Sequence, residues 1–96
     1  MTKSETILET LKAHLPELRE MGVKDLYVFG SVARGAADPQ DIDILVEFMT
    51  APGLLELTGV KFHLEDHTGL PVDVYTMTSC PERFKKRIKD ELRHVA

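Results

Sequence analysis

Only eleven residues, Gly30 to Gln40, separate the end of one strongly apolar run from the start of the next. Leu26 to Phe29 is continuous, with aromatic and β-branched members, the pattern of a buried strand. Asp41 to Phe48 is a second strand, with Ile42, Ile44, Val46 and Phe48 on one face and Asp41 and Asp43 on the other. A parallel crossover needs about a dozen residues or more, including a helix. The two strands are therefore expected to be antiparallel, and the Gly30-Ser31 turn then lies beside Asp41 and Asp43.

The flanking sequence supplies the other elements. Thr2 and Glu5 have the spacing of a capping box, and Ile7, Leu8, Leu11, Leu15, Leu18 and Met21 follow at helical intervals. Pro16 kinks or restarts this helix, and Gly22 closes it. Ser31 to Gly35 reads as a short helix. A longer helix runs from about Leu54 to His67 despite Gly59, and Gly69-Leu70-Pro71 introduces a short strand, Val72 to Thr76. Pro81 opens a last helix with Phe84, Ile88, Leu92 and Val95 on one stripe. The order αβαβαβα predicts an α/β domain, residues 1–96, on a small mixed sheet of about three strands flanked by helices. The second and third strands are far enough apart for a helical, parallel crossover. Asp73, near the start of the third strand, then lies level with Asp41 and Asp43.

A chain of 96 residues has room for one modest core. Its net charge of −4 supplies no basic field to hold a nucleic-acid backbone as a stable partner. No apolar run reaches the roughly 20 residues of a membrane span, and no signal-peptide pattern opens the chain. The single cysteine, Cys80, fits a reducing cytoplasm and a helix-flanking place.

Two carboxylates of one sign on a strand face repel, so something must offset them. Asp41 and Asp43, roughly 6.6 Å apart along the strand, have the donor chemistry of a Mg²⁺ site, with Asp73 as a third ligand. Two such ions, roughly 3.5–4 Å apart, clamp the entering and leaving oxygens of an in-line displacement. Gly30 lets a phosphate approach the backbone, Ser31 adds a hydroxyl, and Arg34 is the nearest cation. A P-loop is excluded, because Ala36 stands where that motif has its lysine.

Gly30-Ser31, nine residues, then Asp41-Ile42-Asp43-Ile44 resembles the signature of the DNA polymerase β-like nucleotidyltransferase superfamily. GSVARG, DIDILVEF, VDVYT and a closing basic helix resemble its minimal nucleotidyltransferase (MNT) group over essentially the whole chain. The resemblance implies a polymerase β-like fold and transfer of AMP from ATP to a hydroxyl, with pyrophosphate leaving. It implies two Mg²⁺ on Asp41, Asp43 and Asp73, with Asp73 also activating the acceptor, and a triphosphate on Gly30 and Ser31. It further implies a HEPN-domain toxin as partner and substrate, with the chain as antitoxin. A homo-oligomer stays among the allowed assemblies. Gln40 departs from the family, in which serine often precedes the paired aspartates. A silent, binding-only antitoxin and a small-molecule adenylyltransferase are the rival functions.

Other features have plainer explanations. Glu47 is a solvated strand residue. His63 and His67 are four apart, as in some metal pairs, but Leu64 follows His63 where HExxH has glutamate, so the pair is not expected to bind metal. Arg83, Lys85, Lys86, Arg87 and Lys89 alternate with Glu82, Asp90 and Glu91, as on a solvated helix face.

Overall fold

A computed structural model describes residues 1–78 and 82–95. Cys80 and Pro81 lie outside the described residues, as do the side chains of Phe84 and Arg87. Helix α1 (Lys3–Ala13) starts at the expected N-cap, where Thr2 accepts a hydrogen bond from the Glu5 N–H at 3.2 Å. Pro16 restarts rather than kinks the helix. The chain turns at His14 and resumes as α2 (Leu15–Glu20), with proline in the first turn, where its missing N–H costs no helical bond. Gly22, at φ 98°, makes the turn into β1 (Val23–Phe29). This strand begins three residues before the expected run, because Val23 pairs with Phe48 across a bulge between Val23 and Asp25.

The four-residue α3 (Gly30–Ala33) and a loop lead to β2 (Ile42–Phe48). β1 and β2 are antiparallel as expected, with Phe29 opposite Asp43. Helix α4 (Leu54–Thr68) tolerates Gly59 because a Cβ there would sit 3.2 Å from the tip of Met21. It ends at Gly69 in the left-handed conformation. β3 (Val72–Tyr75) is parallel to β2 and puts Asp73 opposite Asp43. α4 also grips the start of this edge strand: Lys61 donates to the Val72 carbonyl at 2.6 Å, and Glu65 accepts from the Val72 N–H at 2.9 Å.

The C-terminus differs from expectation. Helix α5 spans Glu82–Glu91, and Val95 belongs instead to a fourth strand, β4 (Arg93–Val95), antiparallel to β1. The sheet order is β3-β2-β1-β4. The outer edge of β1 would otherwise leave backbone groups unpaired, and Val95 buries its side chain in the core on pairing with Leu26. Three residues are too few for a period of two to emerge against the helical stripe before them.

The sheet is covered unequally. On one face Ile7, Leu11, Leu15 and Leu18 from α1 and α2, with Val60 and Leu64 from α4, pack on Leu26, Val28, Ile42, Ile44 and Val72. The other face carries a smaller cluster, in which Ile88 of α5 meets Leu45 with Tyr27, Phe29 and Tyr75 around them. Asp43 shares this thinly covered face with Leu45, two residues along the strand.

Candidate active site

The short β1–β2 connection builds one wall of a cavity of about 360 Å³. Gly30, Ser31, Arg34, Asp41 and Asp43, five of the six residues singled out from sequence, line it. The sixth, Asp73, joins through its register opposite Asp43 and a side-chain hydrogen bond to it.

Gly30 has φ 72°, and a Cβ there would lie 2.7 Å from Asp43 Oδ2. Glycine is required by both backbone and space. The loop beyond α3 is pinned from outside the site: the buried Ser4 hydroxyl donates to the Ala36 carbonyl, and Lys3 pairs with Asp38 at 3.2 Å. Gln40 donates to the Asp38 carbonyl at 3.1 Å and to its carboxylate at 3.2 Å. The residue that departs from the family pattern thus makes local bonds in its own loop.

Burial raises the Asp43 carboxyl from its ordinary 3.8 to about 6; the charges of Asp41 and Asp73 and the Asp73 hydrogen bond add to this, and Arg34 opposes it. The half-buried group thus gives up its proton less readily than a free carboxyl, first because it is buried and then because its neighbours share its sign. All three side chains offer hard carboxylate oxygens, the donors Mg²⁺ takes, and a divalent cation would relieve the repulsion that raises Asp43. The donor set therefore fits such an ion.

Four cavity residues, Phe29, Tyr75, Ile88 and Glu91, carried no functional assignment from sequence. Glu91, in the last turn of α5, accepts from the Gly30 N–H at 3.3 Å and pairs with Arg34 at 3.3 Å. Its carboxylate sits on the backbone and the cation expected to meet phosphate. An acid at a helix C-terminus is disfavoured by the helix dipole, and that anomaly was the available signal. Phe29 and Tyr75 form an aromatic wall, with ring centroids 5.6 Å apart. The sequence marked Phe29 only as part of a continuous apolar, buried strand and Tyr75 only as part of the short third strand. Glu47 is exposed, as expected.

A glycine-serine turn entering a short helix, next to aspartates on two adjacent strands of a mixed sheet, defines a nucleotidyltransferase. Residues 8–95 match the nucleotidyltransferase domain family, and the chain belongs to that family. The protein adenylyltransferase MntA of Thermococcus cleftensis is 39% identical over 97 residues, covering 99% of this chain and 98% of that protein. A relative from Methanocaldococcus jannaschii is 42% identical over 86 residues, 88% of this chain and 92% of its own. Among solved structures, a toxin–antitoxin with AMP-PNP has a TM-score of 0.72 at 18% identity, covering 88% of this chain and 72% of that one. A Shewanella oneidensis complex of a tri-AMPylated HEPN toxin with an MNT antitoxin has a TM-score of 0.69 at 16% identity, covering 93% and 71%. These two likenesses are of fold. No described helix is long and apolar enough to cross a membrane.

Proposed function

We propose that residues 1–96 act as one catalytic domain that transfers AMP from ATP to a hydroxyl on a HEPN-type toxin, as a cytoplasmic antitoxin. The observation that carries this is the register of Asp43 opposite Asp73, with Gly30 against Asp43 at the end of the neighbouring strand. Asp41, Asp43 and Asp73 would hold two Mg²⁺. When bound, these supply charge neutralisation for the triphosphate and the leaving pyrophosphate.

The protein groups have separable tasks. The Gly30 and Ser31 backbone and the Ser31 hydroxyl hold the terminal phosphates, and Arg34 neutralises them. Glu91 gives up the Gly30 N–H and Arg34 as phosphate enters. Phe29 and Tyr75 offer a surface for the base. The exposed Asp73 takes the proton of the acceptor hydroxyl. That oxygen bonds to the α-phosphorus as the bond to the β-phosphate breaks, and pyrophosphate departs. The MntA relative, a protein adenylyltransferase, and the solved complexes with AMP-PNP and with a tri-AMPylated toxin support protein as acceptor and ATP as donor.

The test is transfer of label from α-³²P-ATP, with Mg²⁺, to a HEPN-domain partner by wild type and by Asp41→Asn/Asp43→Asn. Label that disappears in the variant supports the proposal. Tight binding without label by either form favours the silent antitoxin, and label on a small molecule alone favours the third activity.

A further inference from the structure

His63 and His67 gain a third histidine from across the fold. His14 stands at the elbow between α1 and α2, and one ring nitrogen from each of the three lies within 4.8 Å of the others. Among the described residues, this is the group of three ligating side chains whose donor atoms already converge. Glu17, one turn into α2, completes it. Its Oε2 lies 2.5 Å from His14 Nδ1 and 3.0 Å from His63 Nε2, and those two nitrogens are 3.3 Å apart.

Two of these spacings, 3.0 and 3.3 Å, are close to those of ligands around one ion, and the third is a hydrogen-bond distance. Zinc bonds imidazole nitrogen at about 2.0–2.1 Å, so tetrahedral ligands stand about 3.3 Å from one another. A small separation of Glu17 from His14 would therefore put the three atoms at three corners, with a cation in place of the hydrogen-bonded proton. His67 is also pre-set. Its Nδ1 bonds the His63 carbonyl at 2.8 Å, which leaves Nε2 as the ring's lone-pair nitrogen. A backbone carbonyl on the far nitrogen is the usual support of a metal-bound imidazole. His14 and His63 are mostly covered, with side chains 18% and 23% exposed, whereas His67 is exposed.

We propose that His14, His63, His67 and Glu17 form a second metal site, independent of the carboxylate corner, for a late first-row divalent cation such as Zn²⁺. Three imidazoles select against Mg²⁺, which takes oxygen donors. The ligands come from the α1–α2 elbow and from α4, so the ion fastens the N-terminal helices to the crossover helix. The spacing of His63 and His67 on α4 does not reveal the site, because His14 lies 49 residues before His63.

The experiment uses the full chain without a histidine tag, in the Asp41→Asn/Asp43→Asn background so that the corner contributes little. Zn²⁺ and Co²⁺ are added alone, with no nucleotide or partner, so the outcome does not depend on the transferase reading. At 100 times its dissociation constant, Zn²⁺ is expected to raise Tm by about 10 °C or more. Co²⁺ is expected to give the intense visible bands of a four-coordinate site. His67→Gln and His63→Gln should each weaken Zn²⁺ binding by at least about 100-fold. His67→Gln, at an exposed position, should leave the metal-free Tm within about 2 °C. No Zn²⁺-dependent rise, a rise untouched by both histidine variants, or the pale spectrum of six-coordinate Co²⁺ would each overturn the site.

Discussion

The carboxylate corner and the histidine cluster are both gatherings of ionisable side chains, yet they are satisfied in opposite ways. At the corner, aspartates from two adjacent strands face one another, and Asp43 is driven up to about 6. In the cluster, hydrogen bonds from His14 and then His63 hold Glu17 below its ordinary value. Strands impose the corner's crowding through their register, whereas the cluster's members meet at a helix elbow and on a helix surface. One site is under electrostatic strain until a cation arrives, and the other already holds its donors together with shared protons. In the proposed functions, the difference separates a site that engages a charged substrate from one that holds two elements together.

The largest expected effect bears on the corner. Asp43→Asn should cut nucleotidyl transfer by about 10²–10³-fold, the scale on which a single preorganised electrostatic group acts. It should also raise the metal-free Tm and erase the gain from Mg²⁺ with nucleotide. A lower metal-free Tm would mean the corner is not strained. Gly30→Ala comes next. A φ of 72° and a Cβ 2.7 Å from Asp43 Oδ2 should together cost about 2 kcal/mol, lowering Tm by about 10 °C. Equal melting of the two forms would remove the close approach on which the phosphate cradle rests.

The pH dependence sharpens the contrast. The folded value of Asp43, about 6, exceeds its ordinary 3.8, so the native state keeps a proton that the unfolded chain has lost. Stability from this group is full below 3.8 and falls as pH rises to about 6. Glu17 runs the other way: its contribution is present above 4.5 and is lost as pH falls through its lowered value. Metal-free melting against pH should therefore lose its decline in Asp43→Asn and its acid-side rise in Glu17→Gln. Identical profiles for wild type and either variant would contradict the assignment. The smallest effect is expected of Glu91→Gln, which weakens the contact with Arg34. Because the Arg34 side chain is 57% exposed, nucleotide affinity should increase by no more than about fivefold. A loss of affinity would make Glu91 a ligand rather than a competitor.

The corner was legible in the sequence because covalent distance determined it. Eleven residues cannot carry a crossover helix, so the direction of β2 followed, and with it the meeting of Gly30 with Asp43. A helical crossover of sufficient length made β3 parallel and brought Asp73 level. Features that depend on packing were not legible. β4 is three residues long, and its Val95 continues a helical stripe until the edge of β1 captures it. Glu91 reaches Gly30 across 61 residues only because α5 lies on the thin face. His14 finds α4 through the packing of hydrophobic neighbours, which no local spacing encodes.

The grip of α4 on β3 has a consequence for how the molecule meets other chains. In a parallel pair, alternate residues of an edge strand turn their peptide groups away from the sheet. At Val72 both outward groups are taken, the carbonyl by Lys61 and the N–H by Glu65. That margin offers no template at its entry for strand addition, the usual route from an open edge to unwanted polymer. A partner extending the sheet at β3 would first have to break both contacts, so docking there through side chains, beside Asp73, is the less costly approach.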